Sequence, residues 1–321
     1  IKEQVNLEDY TPGEGRNSYK KIGGGSFGDV YEAYNKKDGK LCAAKVFIKK
    51  FENSKQRLNF FREIDILKKL DCPLIVKLYG YNMNSLIQPI SELPTLFMEF
   101  ATHGTLSNMI QQEYNKHTHP KWNNTTKMKT IIGITRAMAY MHSLLYLHRD
   151  LKTENIFFDE NYEPKIGDFG CSRKIDKQNS VNLTLGVGSP IYMAPEILLG
   201  SNPQYSWEID VYSFAIVLYQ IITGKPDTKV YEDKYLKNLF TFQNYMIKED
   251  IRPKLPEDLD ENLKMLLSRC WSSRVNDRPS FNFIFSVLKA TFEQEHPPTT
   301  FLPNVDLDEV RKYLKKLDSC F

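Results

Sequence analysis

The sequence predicts an α+β fold of two lobes, a small β-rich one at the N-terminus and a larger helical one at the C-terminus. Two patterns carry this prediction. From Tyr19 to Phe47 apolar and polar residues alternate with the period of a strand, and from Thr105 onward apolar residues recur with the period of a helix. Composition adds a third observation. Hydrophobic types make up 41% and charged types 26% of 321 residues, enough apolar material to offset chain entropy and exclude disorder as the overall state.

Residues 1–18 are polar and turn-rich and read as a lead-in. Strands follow to Phe47, with Asp38-Gly39 supplying a hairpin turn. A helix over 54–70 places Phe60, Leu67 and Leu70 on one face, and Pro73 prevents its continuation. More strand runs to about Phe100, interrupted by a polar, Pro-bearing stretch over 82–95. Helices are predicted over 126–145 and 206–223, the second apolar nearly all round and therefore central. After Phe292 a Pro-containing linker leads to 306–319, where Val310, Leu314, Leu317 and Phe321 share a helical face and Asp306 with Glu309 forms an N-cap pair. A lone helix of about 14 residues is marginal in water, so docking on the larger lobe is expected. The expected organisation is a lead-in (1–18), one bilobal domain (19–292) and a linker with an amphipathic helix (293–321). Within the domain the small lobe covers about 19–97, the connection 98–104 and the large lobe 105–292.

The 43 Lys+Arg and 40 Asp+Glu leave a net charge of +3, too small a field to imply nucleic acid or a membrane surface. The longest apolar run, Phe214–Ile222, falls far short of the roughly 20 residues that cross a bilayer. Cysteines at 42, 72, 171, 270 and 321 show neither C-x-x-C spacing nor neighbouring histidines. Zinc and a disulfide framework are therefore not expected, and a reducing, cytoplasmic setting is. A chain opening on Ile1 reads as part of a longer one, and its oligomeric state is not legible.

Residues Ile22, Gly23, Gly24, Gly25, Ser26, Phe27, Gly28, Asp29 and Val30 contain a G-x-G-x-x-G run, a weak signal alone and equally a plain turn. A dinucleotide cradle would need a helix directly after the glycines. A strand follows instead, so the run reads as a hairpin whose backbone can approach a phosphate. Lys45 lies in the apolar strand LCAAKVF and needs an anionic partner. Glu63 is the candidate, three residues after Phe60 and four before Leu67 on the apolar stripe of the helix. Either charge alone could snorkel to solvent; two opposite charges facing the core of adjoining elements point to a pair. Then come HRDLKTEN at His148–Asn155, Asp168-Phe169-Gly170 and Ala194-Pro195-Glu196.

In this order these motifs resemble the eukaryotic protein kinases, over roughly Tyr19 to Phe292. The resemblance implies ATP- and Mg²⁺-dependent phosphoryl transfer to a protein hydroxyl, where positioning and charge neutralisation do most of the work. It implies Asp150 as acceptor of the hydroxyl proton and Lys152 as neutraliser of the γ-phosphate. Asn155 and Asp168 would be the oxygen ligands of Mg²⁺. Lys45, oriented by Glu63, would hold the α- and β-phosphates beneath the loop Ile22–Gly28. Met98-Glu99-Phe100-Ala101 resembles the hinge, with Met98 beside the purine and the backbone of Glu99 and Ala101 on its edge. Val30, Ala43 and Phe157 would sandwich the ring. Asp210 resembles the carboxylate that binds the catalytic-loop backbone, and Glu196 with Arg278 a structural ion pair.

Lys152-Thr153-Glu154 and Gly188-Ser189-Pro190-Ile191-Tyr192 are similar to Ser/Thr kinases, whereas Cys270-Trp271 and Arg278-Pro279-Ser280-Phe281 are similar to tyrosine kinases. That mixture is typical of the tyrosine kinase-like group and implies protein substrates with Ser/Thr acceptors. A tyrosine or dual-specificity kinase is the alternative. An ATP-binding pseudokinase scaffold is a second, opposed by the presence of Lys45, Asp150 and Asp168. Arg149 with Arg173 or Lys174 implies docking of an activation-segment phosphate, on Thr184 first and Ser180 second, with Ser189 as a substrate-platform residue. Cys171 is expected at the nucleotide cleft with Lys45 favouring its thiolate, the plainer reading being a small buried residue.

Overall fold

The computed structural model describes residues 4–13, 15–24, 28–47, 54–87, 93–175, 190–198 and 206–319. It divides into two compact units, Ile1–Thr102 and His103–Phe321.

The first unit is a sheet of β1 (Tyr10–Thr11), β2 (Lys21–Gly24), β3 (Gly28–Asn35), β4 (Leu41–Phe47), β5 (Leu78–Asn82) and β6 (Thr95–Glu99), with helix α1 (Ser54–Lys69). The strands are ordered β1-β3-β4-β6-β5 with β2 beside β3, every pair antiparallel. The β3–β4 hairpin turns through Gly39, whose φ of 67° suits glycine. Alternation sorts β4 cleanly. Cys42, Ala44 and Val46 point into a core with Ala33, Leu86, Phe97 and Tyr10, while Ala43 and Lys45 occupy the other face. Helix α1 covers part of that other face, packing Phe60 and Ile64 on Leu96, the cross-strand partner of Lys45.

The segment 1–18 is more than a lead-in. Residues 10–11 form an edge strand on β3, and the Tyr10 ring stacks on Phe97 with centroids 3.8 Å apart. The Val5 amide donates to the Tyr81 carbonyl at 2.8 Å, and Asn82 Nδ2 donates back to the Val5 carbonyl at 2.7 Å. Val5, Leu7 and Tyr10 are too few and too scattered to show a period, and their partners lie far along the chain.

The second unit begins with α2 (Leu106–Tyr114), α3 (Asn124–Ser143), β7 (Tyr146–Leu147), β8 (Ile156–Phe158), β9 (Pro164–Ile166) and β10 (Arg173–Lys174). It continues with α4 (Pro195–Leu198), α5 (Glu208–Thr223), α6 (Leu239–Lys248), α7 (Glu261–Cys270), α8 (Phe281–Phe292) and α9 (Leu307–Asp318). Helix α5 is buried almost throughout, as its all-round apolar sequence requires, and ends at Gly224 with φ 64°. Side chains cap the helix starts: Thr105 on α2, Asn123 on α3, Asp260 on α7, Ser280 on α8 and Asp306 on α9. Among the described residues no helix is long and apolar enough to cross a membrane.

The C-terminal helix is part of this unit. Val310, Tyr313, Leu314 and Leu317 are buried, and so are Phe301 and Leu302 of the segment expected to be a polar linker. Ion pairs pin α9 along its length, Glu309 to Lys129 at 2.7 Å, Lys316 to Glu163 at 2.6 Å and Asp318 to Lys289 at 2.7 Å. Tyr313 approaches α3 at Gly133, where a Cβ would lie 2.6 Å from its hydroxyl and 2.5 Å from Pro164. Phe321, expected on the apolar face, lies outside the described residues.

Candidate active site

The predicted site residues fall into two groups, one on each unit. On the first, β2 and β3 pair antiparallel across the glycine run, while Gly25, Ser26 and Phe27 lie outside the described residues. Gly28 has no room for a side chain, since a Cβ would sit 2.6 Å from the Val46 carbonyl oxygen. Cross-strand register sets Val30 opposite Lys45 and Ala43 opposite Met98, so these four residues share one face of the sheet. Glu63 meets Lys45 there from α1, Oε1 to Nζ 3.6 Å, with the side chains only 6% and 13% exposed. The Glu99 amide donates to the Lys77 carbonyl at 2.8 Å, so any edge contact by the Glu99 backbone uses its carbonyl. Ile22 is exposed on β2.

On the second unit the loop between β7 and the 3-10 turn Thr153–Asn155 carries the charged groups. Asp210, fully buried near the start of α5, accepts the backbone N–H of His148 at 2.9 Å and of Arg149 at 2.8 Å. His142 of α3 supplies a third contact, Nε2 to Oδ2 2.9 Å. The His148 ring bridges two segments. Its Nδ1 faces the Asp150 amide at 3.3 Å and therefore accepts, which leaves Nε2–H to donate to the Gly167 carbonyl at 3.1 Å. The Gly167 amide in turn donates to the Asn155 carbonyl at 2.9 Å, so the residue preceding Asp168 is tied to the turn Thr153–Asn155. Arg149 and Asp168 have φ of 69° and 59°. A non-glycine residue keeps such a backbone only where its surroundings over-determine it, and these bonds do so.

This frame delivers a compact charge cluster. Lys152 Nζ lies 2.8 Å and Asn155 Nδ2 3.0 Å from the same oxygen, Oδ2 of Asp150. Both contacts fall on Oδ2 and not on Oδ1 of Asp150. Burial pulls the Lys152 ammonium down, but the bond and charge of Asp150, with Glu154 and Asp168, outweigh it and raise its pKa. Asn155 Nδ2 also donates to the Asp150 carbonyl at 2.8 Å. With both amide protons committed, Oδ1 of Asn155 is a hard oxygen suited, with the Asp168 carboxylate, to a divalent cation. Phe157 lies in β8 opposite Lys165. Arg278, buried, grips both oxygens of Glu196 at 2.6 and 2.9 Å.

His142 is the partner of Asp210 that the sequence did not reveal. It lies 68 positions from Asp210, and nothing local marks it. Thr184, Ser180 and Ser189 lie outside the described residues. The thiolate expectation for Cys171 is corrected. Burial and the Asp150 and Asp168 carboxylates push its thiol up more than Arg149 and Arg173 pull it down. Alkylation of Cys171 by iodoacetamide should therefore be slow at pH 7 and accelerate in alkali; fast labelling at neutral pH would contradict this.

Asp210 makes stability pH-dependent. Burial alone would raise its carboxyl pKa, but the hydrogen bond and charge of His142 and the bond from the Arg149 amide lower it on balance. A depressed folded-state pKa contributes stability above the unfolded value of about 3.9, lost as pH falls through the folded value. The stability gap between the wild type and Asp210→Asn should therefore be constant near neutrality and shrink below about pH 4. Urea titrations at several pH values would measure it, and a gap unchanged down to pH 3 would refute the assignment.

The first unit thus carries a salt-bridged lysine on a sheet face, and the second a carboxylate held by a lysine and an asparagine. The chain belongs to the protein kinase family, whose domain model matches residues 16–292. It is similar to a "Probable serine/threonine-protein kinase" of Dictyostelium discoideum, 35% identical over 75% of this chain and 14% of that protein. It is also similar to mitogen-activated protein kinase kinase kinase 3 of Arabidopsis thaliana, 27% identical over 94% of this chain and 49% of that protein. A seven transmembrane domain-containing tyrosine-protein kinase of Dictyostelium discoideum is 31% identical over 84% of this chain and 37% of its own length. The chain thus spans less than half of each of these relatives.

Proposed function

We propose that this chain is a catalytic domain that transfers the γ-phosphate of ATP to Ser/Thr hydroxyls of protein substrates in the cytoplasm. The observation that carries the reading is the Asp150 carboxylate, held on Oδ2 by Lys152 and Asn155 in a loop that Asp210 anchors. In the step, the acceptor oxygen bonds to the γ-phosphorus as the bond from phosphorus to the β–γ bridging oxygen breaks. ADP leaves with that electron pair, and the hydroxyl proton passes to Asp150. Lys152, kept protonated beside Asp150, offsets the charge on the transferring group. Lys45, paired with Glu63, holds the α- and β-phosphates, with Val30, Ala43, Met98, Glu99 and Ala101 of the first unit receiving the base. Asn155 and Asp168 would hold the divalent cation, taken as Mg²⁺, which neutralises phosphate charge when bound.

Phosphorylation of Thr184, or of Ser180, would dock on Arg149 and Arg173 and raise activity. Ser/Thr specificity is favoured by Lys152-Thr153-Glu154; a tyrosine-kinase name among the relatives keeps tyrosine or dual specificity as the second reading. Phospho-amino-acid analysis of casein or myelin basic protein after incubation with Mg-ATP tests this. Phosphoserine and phosphothreonine are expected. Phosphotyrosine alone would overturn the specificity, and no transfer would leave a nucleotide-binding scaffold.

A further inference from the structure

Beneath the catalytic turn of the second unit lies a polar network that the mechanism above leaves unused. The Tyr192 hydroxyl is 2.6 Å from Oδ1 of Asp227, 2.8 Å from Oε1 of Gln220 and 3.0 Å from Oγ1 of Thr153. Gln220 Nε2 donates to the same Asp227 oxygen at 2.8 Å and to the Lys225 carbonyl at 3.3 Å. That settles the amide orientation, because an oxygen in that position would face two acceptors. Thr153, Tyr192 and Gln220 are all buried.

Proton counting gives the network a direction. The phenol has one proton and two candidate acceptors, and the carboxylate is both nearer and stronger. Its oxygen can then accept from Thr153, whose hydroxyl lies 3.0 Å away and has one other acceptor, Oε2 of Glu154, at a longer 3.3 Å. Donation therefore runs from Thr153 to Tyr192 to Asp227, with Gln220 bracing the carboxylate. The four residues come from separate places: Thr153 from the catalytic turn, Tyr192 from the turn Pro190–Tyr192, Gln220 from α5 and Asp227 from the turn Asp227–Lys229. Ser213 Oγ also holds the Tyr192 carbonyl at 2.8 Å, so both ends of that tyrosine are fixed.

We propose that Asp227, braced by Gln220, is a positioning residue for phosphoryl transfer. Through Tyr192 it holds Thr153, which lies between Lys152 and Asn155, the two residues that bond Oδ2 of Asp150. Loss of the carboxylate frees the phenol, and Thr153 keeps only its longer contact to the neighbouring Glu154 in place of a fixed tyrosine. Lys152 and Asn155 then shift against Asp150 while the nucleotide-holding residues of the first unit are untouched. A charged acceptor, rather than a neutral one, makes the bond to the phenol short and gives the chain of donors a single arrangement. This inference rests on the kinase reading of the same site.

The test is steady-state kinetics on a generic protein substrate with the wild type, Tyr192→Phe, Asp227→Ala, Asp227→Asn and the Tyr192→Phe/Asp227→Ala double variant. Each of Tyr192→Phe and Asp227→Ala should lower kcat roughly tenfold or more with the KM for ATP within about twofold, the cost of misplacing reacting groups. The double variant should be no slower than the slower single one, since both act through one bond. Asp227→Asn, which can still accept from Tyr192 and Gln220, should recover most of the rate. A wild-type kcat in Asp227→Ala, or losses that multiply in the double variant, would overturn the proposal. If thermal melting shows that Asp227→Ala is unfolded, the Thr153→Val and Tyr192→Phe cycle decides by the same criterion. A wild type without any transfer overturns the kinase reading together with this one, whereas an active wild type with fully active variants overturns only the positioning role.

Discussion

Asp150→Asn should reduce phosphoryl transfer about a hundredfold to ten-thousandfold, the range associated with losing a positioned general base. The asparagine has nearly the shape of the aspartate and can still accept from Lys152 and Asn155 on one oxygen, so the loop need not move. What disappears is the basic oxygen opposite Oδ2. Lys152 also loses the carboxylate that keeps its pKa raised. Nucleotide contacts come from other residues, so the affinity for ATP should stay within a few-fold of wild type. Initial rates with labelled ATP, alongside nucleotide binding by fluorescence or calorimetry, would show both. An Asp150→Asn variant retaining more than a tenth of the wild-type rate would remove Asp150 from the chemistry. Lys45→Met is the complementary variant: it leaves Glu63 buried without its cation and should weaken ATP binding itself.

Truncation after Phe292 should be the most damaging change to stability. It removes the buried side chains of Phe301, Leu302, Val310, Tyr313, Leu314 and Leu317 and uncovers the face of α3 on which α9 packs. At about 1.5–3 kcal/mol per buried apolar side chain the loss is on the order of 10 kcal/mol as an upper bound. That rivals the whole stability of an ordinary domain. The truncated chain should therefore melt at least about 10 °C lower or fail to accumulate as a soluble protein. Gly133→Ala offers a gentler version, because a methyl there collides with Pro164 and the Tyr313 hydroxyl without shortening the chain. Calorimetry on both decides the matter. An unchanged melting temperature after truncation would mean that α9 contributes nothing, and a raised specific activity would mean that it restrains the enzyme.

Legibility in the sequence followed the range of the interactions. The β3–β4 hairpin was readable from alternation and Asp38-Gly39, and α5 from its all-round apolar character, because such signals are written in consecutive residues. The predicted start and end of α1 and of the C-terminal helix fall within two residues of the observed Ser54–Lys69 and Leu307–Asp318 for the same reason. The edge strand at Tyr10–Thr11 was not readable. A two-residue strand has no period, and its stability comes from Phe97 and Tyr81. The polar look of 293–305 concealed two apolar residues that the tertiary structure buries.

Residue types and spacing alone determined the architecture class and the family motifs, since each depends on short stretches read against elementary periodicities. Tertiary structure alone decided how those groups are held. The register that puts Val30, Ala43, Lys45 and Met98 on one sheet face joins three separate strands. Asp210 gathers the His148 and Arg149 amides with His142 from a different helix. Asp227, Gln220 and Tyr192 converge on Thr153 from three further segments. The physical reason is common to all three. A hydrogen bond between residues far apart in the chain leaves no periodic trace, and only the packing of the core brings donor and acceptor within 3 Å.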